Sequence, residues 1–300
     1  MSNYKTVFFI IGVLQIILGI FMAIPILLQL VLGEIDSSFI TSSVITLVFG
    51  ILFVLSNLDY NKKINLQQAF LLTTLSWLTV AIFGALPLYF SNLSLSFTDS
   101  FFESMSGLTT TGSTIITNLE IAPKSILLWR ALLQWLGGIG IILMAITLMP
   151  IMNIGGMLLF KVLNTDSSDE ILPSSKEISL KLILIYFVLT LLCATAYKIF
   201  GMSFFDSLTH SMTTIATGGF SNYNDSIGHF NNLKVEITAM LFIILGSLPF
   251  IAYIKFLNGN RRVFINDSQI ITFIKVTFFL SICSPNNNFQ STIQTSVFLC

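Results

Sequence analysis

Long segments without charge constrain this chain more than any other feature of its sequence. Residues 7–33, 37–58 and 64–98 contain no Asp, Glu, Lys or Arg. A helix of about 20 apolar residues spans the hydrocarbon core of a bilayer. Of the 300 residues only 9% are charged, whereas a soluble domain carries roughly 25%. The sequence therefore predicts an all-α polytopic membrane protein.

The apolar segments predict the positions of the membrane-spanning helices. Residues 7–33 are longer than the apolar region of a signal peptide and predict a transmembrane helix kinked near Pro25. Residues 64–98 exceed one span and predict a helix that ends near Phe90, soon after Pro87. Further spans are predicted at residues 37–58, 126–160, 182–197 and 237–254, and another apolar segment begins at Gln269.

Two short polar segments interrupt this apolar pattern. The first, FTDSFFESMSGLTTTGST at residues 97–114, is too short and too polar to cross a bilayer. Irregular backbone within a membrane is tolerated only where it is buried in protein or lines a water-filled cavity. A half-length helix followed by Thr and Gly residues is typical of an ion selectivity filter, whose backbone carbonyls replace the ion's water. The second segment runs from Phe205 to Ser221.

The two polar segments are copies of one pattern, D-S-x-x-x-S-M-x-x-[LI]-x-T-x-G, separated by 107 positions. Internal repeats are common in membrane transport proteins. We predict a helix over about residues 99–108, capped by Asp99 or Thr98, whose negative C-terminal end faces a cation. Asp206 is the predicted cap of the second copy. The matched pairs are Asp99/Asp206, Ser100/Ser207, Ser104/Ser211, Met105/Met212, Leu108/Ile215, Thr110/Thr217 and Gly112/Gly219.

Three stretches carry a resemblance to a known family. They are SGLTTTGST, then LLWRALLQWLGGIGIILMAITLMP with GGMLLF, and finally HSMTTIATGGFSNYN. Together they resemble the Trk/Ktr/HKT potassium transporters, most closely the TrkH type, over roughly residues 1–280. The resemblance implies a potassium-channel-like fold with four helix–pore loop–helix repeats, each of which contributes one strand to a filter around a glycine.

The resemblance also implies which residues form the filter. By motif match the filter glycines are Gly112 and Gly219. Their filter neighbours are Thr110, Thr111 and Ser113 in the first loop, and Thr217, Gly218 and Phe220 in the second. Potassium is expected to bind the backbone carbonyls of Thr110, Thr111, Gly112, Thr217, Gly218 and Gly219, and no covalently bound cofactor is expected. A single Thr-x-Gly per strand predicts fewer ordered ion sites and softer selectivity than the TVGYG of potassium channels.

The repeats suggest a division of the chain into four parts. Residues 1–60 predict two N-terminal transmembrane helices, and residues 64–160 and 178–260 predict the two helix–pore loop–helix repeats. Residues 266–300 would hold the start of a third repeat and a divergent tail. Compared with the four repeats of the family, the chain is expected to be a truncated N-terminal half.

Basic residues predict the orientation of the chain in the membrane. Lys62 and Lys63, Lys161 and Lys176, and Arg261 and Arg262 fall on one side if both polar segments re-enter the membrane rather than cross it. This places Met1–Lys5 in the cytoplasm, with both filters opening outward. The resemblance implies that the membrane is a bacterial inner membrane. The resemblance further implies a homodimer and a cytoplasmic nucleotide-binding regulatory subunit of the TrkA type.

Several polar residues admit two interpretations. Glu103 is either a charge near the pore mouth or a hydrogen-bond anchor for the filter backbone. Arg130 lies in an apolar segment, so it either has a function or snorkels to the outer boundary. His210, at the position that matches Glu103, and His229 are expected to make ordinary polar contacts because neither has metal-ligand spacing.

Three classes of function were compared. The first is potassium uptake across the inner membrane through the carbonyl-lined filter. The second is a truncated remnant that inserts into the membrane but does not conduct. An enzyme is not expected, because no paired carboxylates, His cluster or Ser/His/Asp set lies in or next to the predicted spans. Cys193, Cys283 and Cys300 show no metal or redox spacing.

Overall fold

The computed structural model of the chain describes residues 4–34, 36–59, 65–152 and 175–283. Throughout these residues the regular structure is helical. The chain divides into two compact units, Met1–Leu172 and Pro173–Cys300. The predicted division into four parts remains a prediction. The predicted features at Lys62, Lys63, Gly155-Gly156, Lys161, Pro173 and the tail lie outside the described residues, so the charge-based orientation also remains a prediction.

The first unit is built from long apolar helices around one short helix. Helix α1 packs on α3 where Gly12 and Gly50 meet, since a β-carbon on Gly12 would lie 2.8 Å from the carbonyl oxygen of Gly50. The short helix α5 packs against both α4 and α6. The helices are α1 (Lys5–Phe21), α2 (Ala23–Leu32), α3 (Ser38–Ser56), α4 (Leu66–Phe90), α5 (Phe97–Leu108) and α6 (Lys124–Met152).

The second unit repeats the order of a long helix, a short helix and a long helix. Helix α8 packs against both α7 and α9. Both short helices, α5 and α8, contain 12 residues. The helices are α7 (Ser175–Ile199), α8 (Phe204–Ile215), α9 (Leu233–Ser247), α10 (Phe250–Leu257), α11 (Val263–Asn266) and α12 (Ser268–Cys283).

Five helical segments among the described residues are long and apolar enough to cross a membrane. The bent pair of α9 and α10 would be a sixth if it forms one span. These segments make the chain an integral membrane protein, as its composition predicts. They are Lys5–Leu32, Ser38–Ser56, Leu66–Phe90, Lys124–Met144 and Glu177–Ile199.

Proline marks an interruption in two predicted spans. The helical segment Lys5–Leu32 is interrupted at Met22, near Pro25 as predicted, because the proline has no N–H to donate to the carbonyl four residues earlier, that of Phe21. The span predicted over residues 237–254 is sharply bent and stays a prediction. Helix α9 ends at Ser247, and the chain turns by 84° before α10 begins. Leu248 precedes Pro249 and is extended, with φ −69° and ψ 148°, as a residue before proline must be.

Candidate functional site

Each short helix begins at a serine and is braced by an aspartate. The Asp99 N–H donates to Ser96 Oγ at 3.1 Å, and the Asp206 N–H donates to Ser203 Oγ at 3.0 Å. Each serine hydroxyl donates in return to the aspartate carboxylate at 2.7 Å. The predicted caps are therefore wrong. Thr98 and Asp99 lie two and three residues after the N-cap Ser96, and Asp206 lies three residues after the N-cap Ser203. The serines are the N-caps, and both aspartates occupy the third helical position, where a negative charge is favoured.

Each short helix ends in the same strained turn. The N–H groups of Thr110 and Thr111 donate to the carbonyls of Gly107 and Ser106 at 3.0 and 2.9 Å. In the second copy, Thr217 and Gly218 donate to the carbonyls of Thr214 and Thr213, both at 3.0 Å. This pair of bonds is the Schellman motif, which places one residue in the left-handed conformation and usually selects glycine there.

Threonine occupies that left-handed position in both copies. The φ angle is 57° at Thr110 and 54° at Thr217. A β-branched residue with positive φ is a genuine outlier, and such strain clusters at functional sites. Two residues later Gly112 and Gly219 are also left-handed, with φ angles of 82° and 76°. Glycine adopts this conformation without a steric penalty.

Among the described residues, no hydrogen bond reaches the carbonyl oxygens of the six predicted ion ligands. Five of these residues are exposed or partly exposed and Gly218 is buried, so water or an ion would have to satisfy their carbonyls. The six residues are Thr110, Thr111, Gly112, Thr217, Gly218 and Gly219.

The remaining two predicted filter residues have different surroundings. The carbonyl of Ser113 accepts a hydrogen bond from Ser106 Oγ at 2.6 Å, so it is tied back to helix α5. Phe220 is buried, with 3% of its surface exposed. Both residues therefore fasten the end of a loop, whereas the carbonyls before them remain unpaired.

A buried ion pair holds the segment that follows Gly112. Arg130 Nε donates to Glu103 Oε1 at 2.7 Å, and the two side chains are 1% and 0% exposed. Glu103 Oε2 accepts the N–H of Ile115 at 2.9 Å. The hydroxyl of Thr114 donates to the Glu103 carboxylate and accepts from Arg130 Nη2 at 3.1 Å. Of the two interpretations of Glu103, the structure therefore supports the hydrogen-bond anchor for the backbone.

The snorkelling interpretation of Arg130 is wrong, because its guanidinium is enclosed and paired. The sequence held a usable signal for this contact. A charged residue in an apolar span needs a partner of opposite sign, and Glu103 lies in the preceding polar segment. No sequence pattern indicated that a residue of α6 would contact the loop that follows α5.

A different set of hydrogen-bonded side chains holds the corresponding segment after Gly219. His210, which matches Glu103, contacts the Asp206 carbonyl through Nδ1 at 2.9 Å and Ser221 Oγ through Nε2 at 3.0 Å. A carbonyl only accepts, so Nδ1 carries a proton. Asn222 Nδ2 donates to Asp206 Oδ1 at 2.8 Å, and the Tyr223 hydroxyl donates to Asp206 Oδ2 at 3.2 Å. His210 therefore makes the ordinary polar contacts predicted for it.

His229 lies outside this network and stacks on Tyr223, with ring centroids 3.6 Å apart. Among the described residues, no group of three His, Cys, Asp or Glu side chains could hold a metal ion. Ser96, Ser203 and Asn222 also contribute to the site, but they do not stand out in the sequence because Ser and Asn occur throughout both segments. A Ser-x-x-Asp spacing is the local signal that identifies the two serine caps.

Comparison with known proteins gives consistent matches. A family model described as TrkH, cation transport protein, matches residues 35–280. The potassium uptake protein TrkI of Halomonas elongata is 41% identical over 263 residues, which are 87% of this chain and 54% of that protein. TrkH of Escherichia coli K12 is 34% identical over 283 residues, 93% of this chain and 59% of that protein.

A solved structure matches at the level of the fold as well. The crystal structure of the potassium transporter TrkH from Vibrio parahaemolyticus superimposes with a TM-score of 0.86 at 29% identity, and the match covers 99% of this chain and 63% of that one. The chain thus spans a little over half the length of the curated relatives it matches. All of these relatives are named as transport proteins, which agrees with the expectation that the chain is not an enzyme.

Proposed function

The chain belongs to the TrkH family of cation transport proteins, and from that premise we propose that it takes up potassium through a filter lined by backbone carbonyls. The observation that carries the proposal is a set of six loop carbonyls that receive no hydrogen bond from any described residue. They stand at the residues that the sequence motif assigns to the ion. Carbonyl oxygens can replace the hydration shell of a potassium ion without carrying a formal charge.

The repeat architecture of potassium-channel type is part of the same proposal. A helix of 12 residues rises about 18 Å, which is well short of the roughly 30 Å hydrocarbon core. Helices α5 and α8 would therefore enter the membrane and return through the loops that follow them. Each would direct the negative end of its dipole towards a cation. This attraction modestly stabilises an ion that has lost its water.

Strain in the loops supports this function rather than a packing role. Thr110 and Thr217 are kept left-handed although glycine would adopt that conformation more easily. Such a conformation persists only where the surrounding structure imposes it. In our proposal the rigid turn keeps consecutive carbonyls in place while potassium sheds water, and the membrane potential drives the ion inward.

Location and partners follow from the same family membership. We propose that the protein resides in a bacterial inner membrane with a cytoplasmic N-terminus. We also propose that it forms a homodimer and associates with a cytoplasmic nucleotide-binding subunit of the TrkA type. The division into two N-terminal helices, two filter repeats and the beginning of a third belongs to this proposal.

Rubidium uptake tests the function directly. Cells that lack their own potassium uptake systems would express the 300-residue chain, Gly112→Ser or Gly219→Ser, with the amount of membrane-inserted protein measured in each case. Gly33→Ser is the matched control, because Gly33 is also left-handed, with φ 70°, and has no atom within 4 Å of an added β-carbon. We expect uptake by the parent chain and the control, and its loss in both filter variants.

The competing function is a membrane-inserted chain that does not transport. Absence of rubidium uptake by well-inserted parent protein would establish that outcome and overturn our proposal. Uptake that persists in both filter variants would show that ions pass elsewhere. Sodium uptake measured in parallel tests the predicted soft selectivity of the filter. If any residual uptake by the serine variants keeps the potassium-to-sodium ratio of the parent, the filter glycines do not set that selectivity.

A further inference from the structure

We propose that Gly137 and Gly246 are positioning residues that seat the two short helices and thereby set the position of the filter carbonyls. The inference rests on the proposed function and adds to it a specificity-determining contact outside the loops. It arises from a close approach that is found in both units. In both cases a glycine in a long helix faces the last carbonyl of the neighbouring short helix.

The contact is a backbone-to-backbone approach. A β-carbon added to Gly137 would overlap the carbonyl oxygen of Leu108 outright and lie 2.7 Å from its carbonyl carbon. A β-carbon added to Gly246 would lie 2.6 Å from the carbonyl oxygen of Ile215 and 3.3 Å from its carbonyl carbon. Real β-carbons essentially never approach within 3.0 Å, so either substitution must displace backbone. A side chain cannot rotate away to relieve it.

The displaced carbonyl has a critical position in each unit. Leu108 and Ile215 are the final residues of α5 and α8, immediately before the turns that hold Thr110 and Thr217 left-handed. The turn is closed by hydrogen bonds to the same last turn of the helix, so a shift of the helix end carries the turn with it. The carbonyls that receive no hydrogen bond from the described residues begin two residues later, at Thr110 and Thr217.

The two contacts lie at equivalent positions of the repeat. The filter motifs are separated by 107 positions, and the helices that follow them, α6 and α9, begin 109 positions apart, at Lys124 and Leu233. Gly137 and Gly246 are also separated by 109 positions, so each lies at the same place in its helix. The repeat therefore keeps a glycine against the matched pair, Leu108 and Ile215, in both copies.

Glycines in membrane helices often serve only to bring helices close together. Gly140 provides the internal comparison, because it lies in α6 one turn from Gly137 and has no atom within 4 Å of an added β-carbon. If close packing of α6 were the whole explanation, substitution at Gly137 would reduce the amount of inserted protein without changing how it selects ions. If Gly137 instead positions the filter, its substitution changes the ratio of transported ions.

The test compares Gly137→Ala, Gly246→Ala and Gly140→Ala for rubidium and sodium uptake, each normalised to inserted protein. We expect the rubidium-to-sodium ratio to fall at least tenfold in Gly137→Ala and about threefold in Gly246→Ala, where the backbone must yield by only about half an ångström. The ratio for Gly140→Ala should stay within twofold of the parent. Equal ratios in all three variants would overturn the inference.

Gly246→Ala keeps the test decisive if Gly137→Ala does not accumulate in the membrane. A second measurement separates this inference from the proposed function. Ser113→Cys, in a chain with Cys193, Cys283 and Cys300 replaced by serine, reports the position of the first loop through its rate of labelling by a thiol reagent. If the parent chain transports no ions, the proposed function fails, yet Gly137→Ala should still change that rate at least fivefold. An unchanged labelling rate would show that Gly137 does not position the first loop.

Discussion

The loop after α5 and the loop after α8 have the same backbone conformation and are held by different chemistry. In both, a left-handed threonine and a left-handed glycine follow a 12-residue helix. The first is fastened by a buried ion pair, Glu103 with Arg130, whose arginine comes from α6. The second is fastened by Asp206, His210 and Asn222, all of which belong to α8 or to the loop.

This difference shows which part of each loop is specified locally. The turn depends on backbone hydrogen bonds that involve only the helix end and the two residues after it. Different side chains can hold the segment after the turn, provided that they satisfy the hydrogen-bonding groups of that segment. An external brace couples the first loop to α6, whereas an internal brace leaves the second loop supported by its own residues.

Removal of one ionic partner should have the largest effect. Arg130→Met leaves the Glu103 carboxylate buried and unpaired, which costs about 3–5 kcal/mol in comparable buried pairs. We expect this loss in the free energy of unfolding of the detergent-solubilised protein. The exposed Lys234, near the start of the equivalent helix α9, is the control, and Lys234→Met should change stability by less than about 0.5 kcal/mol.

The double variant Glu103→Gln with Arg130→Met sharpens this result. It removes both charges, so it should be more stable than Arg130→Met alone. If the two variants are equally unstable, the penalty does not come from the unpaired carboxylate, and the difference between the two braces is smaller than the contacts indicate.

Truncation of the two matched aspartates should give unequal effects. Asp206→Ala removes the acceptor of Asn222 and Tyr223 as well as the bond to the serine cap, which we expect to cost about 2–3 kcal/mol. Asp99→Ala removes only the contacts with the cap Ser96, at about 1 kcal/mol. Denaturant unfolding of the two variants measures this difference. Equal losses would mean that Asp206 contributes nothing beyond helix capping.

Replacement of the histidines tests whether the second brace is internal. His210→Phe removes the hydrogen bonds of His210 to the Asp206 carbonyl and to Ser221 Oγ and should destabilise the protein by about 1–2 kcal/mol. His229→Phe preserves an aromatic ring on the exposed side of Tyr223 and should lie within about 0.5 kcal/mol of the parent. Thermal unfolding distinguishes them, and a larger effect at His229 would contradict the proposed brace.

The smallest effects should be the same in the two loops. Thr110→Gly and Thr217→Gly relieve left-handed strain, and each should raise stability by about 0.5–1 kcal/mol. Thr111→Gly, one residue later where φ is not positive, relieves no strain and should be neutral or destabilising. Unfolding measurements that show a gain in one loop only would disprove the equivalence of the two turns.

Much of the architecture could be predicted from local patterns. The spans over residues 37–58 and 64–90 correspond to α3 and α4, because apolar length alone decides whether a segment crosses a bilayer. The helix predicted over residues 99–108 begins two residues earlier, at Phe97, since the cap is Ser96. The bend between α9 and α10 lies at Pro249 inside a continuous apolar segment, so hydropathy alone does not reveal it, whereas the proline signals it.

What the sequence alone determined is therefore local: the membrane-spanning character, the two short helices and the Thr-x-Gly turns after them. These features depend on hydropathy and on hydrogen bonds between residues close in the chain. Only the tertiary structure decided that Arg130 pairs with Glu103, and that Gly137 and Gly246 face the carbonyls of Leu108 and Ile215. Such contacts join residues about 30 positions apart, and they depend on how packed helices are rotated and offset, which no single segment encodes.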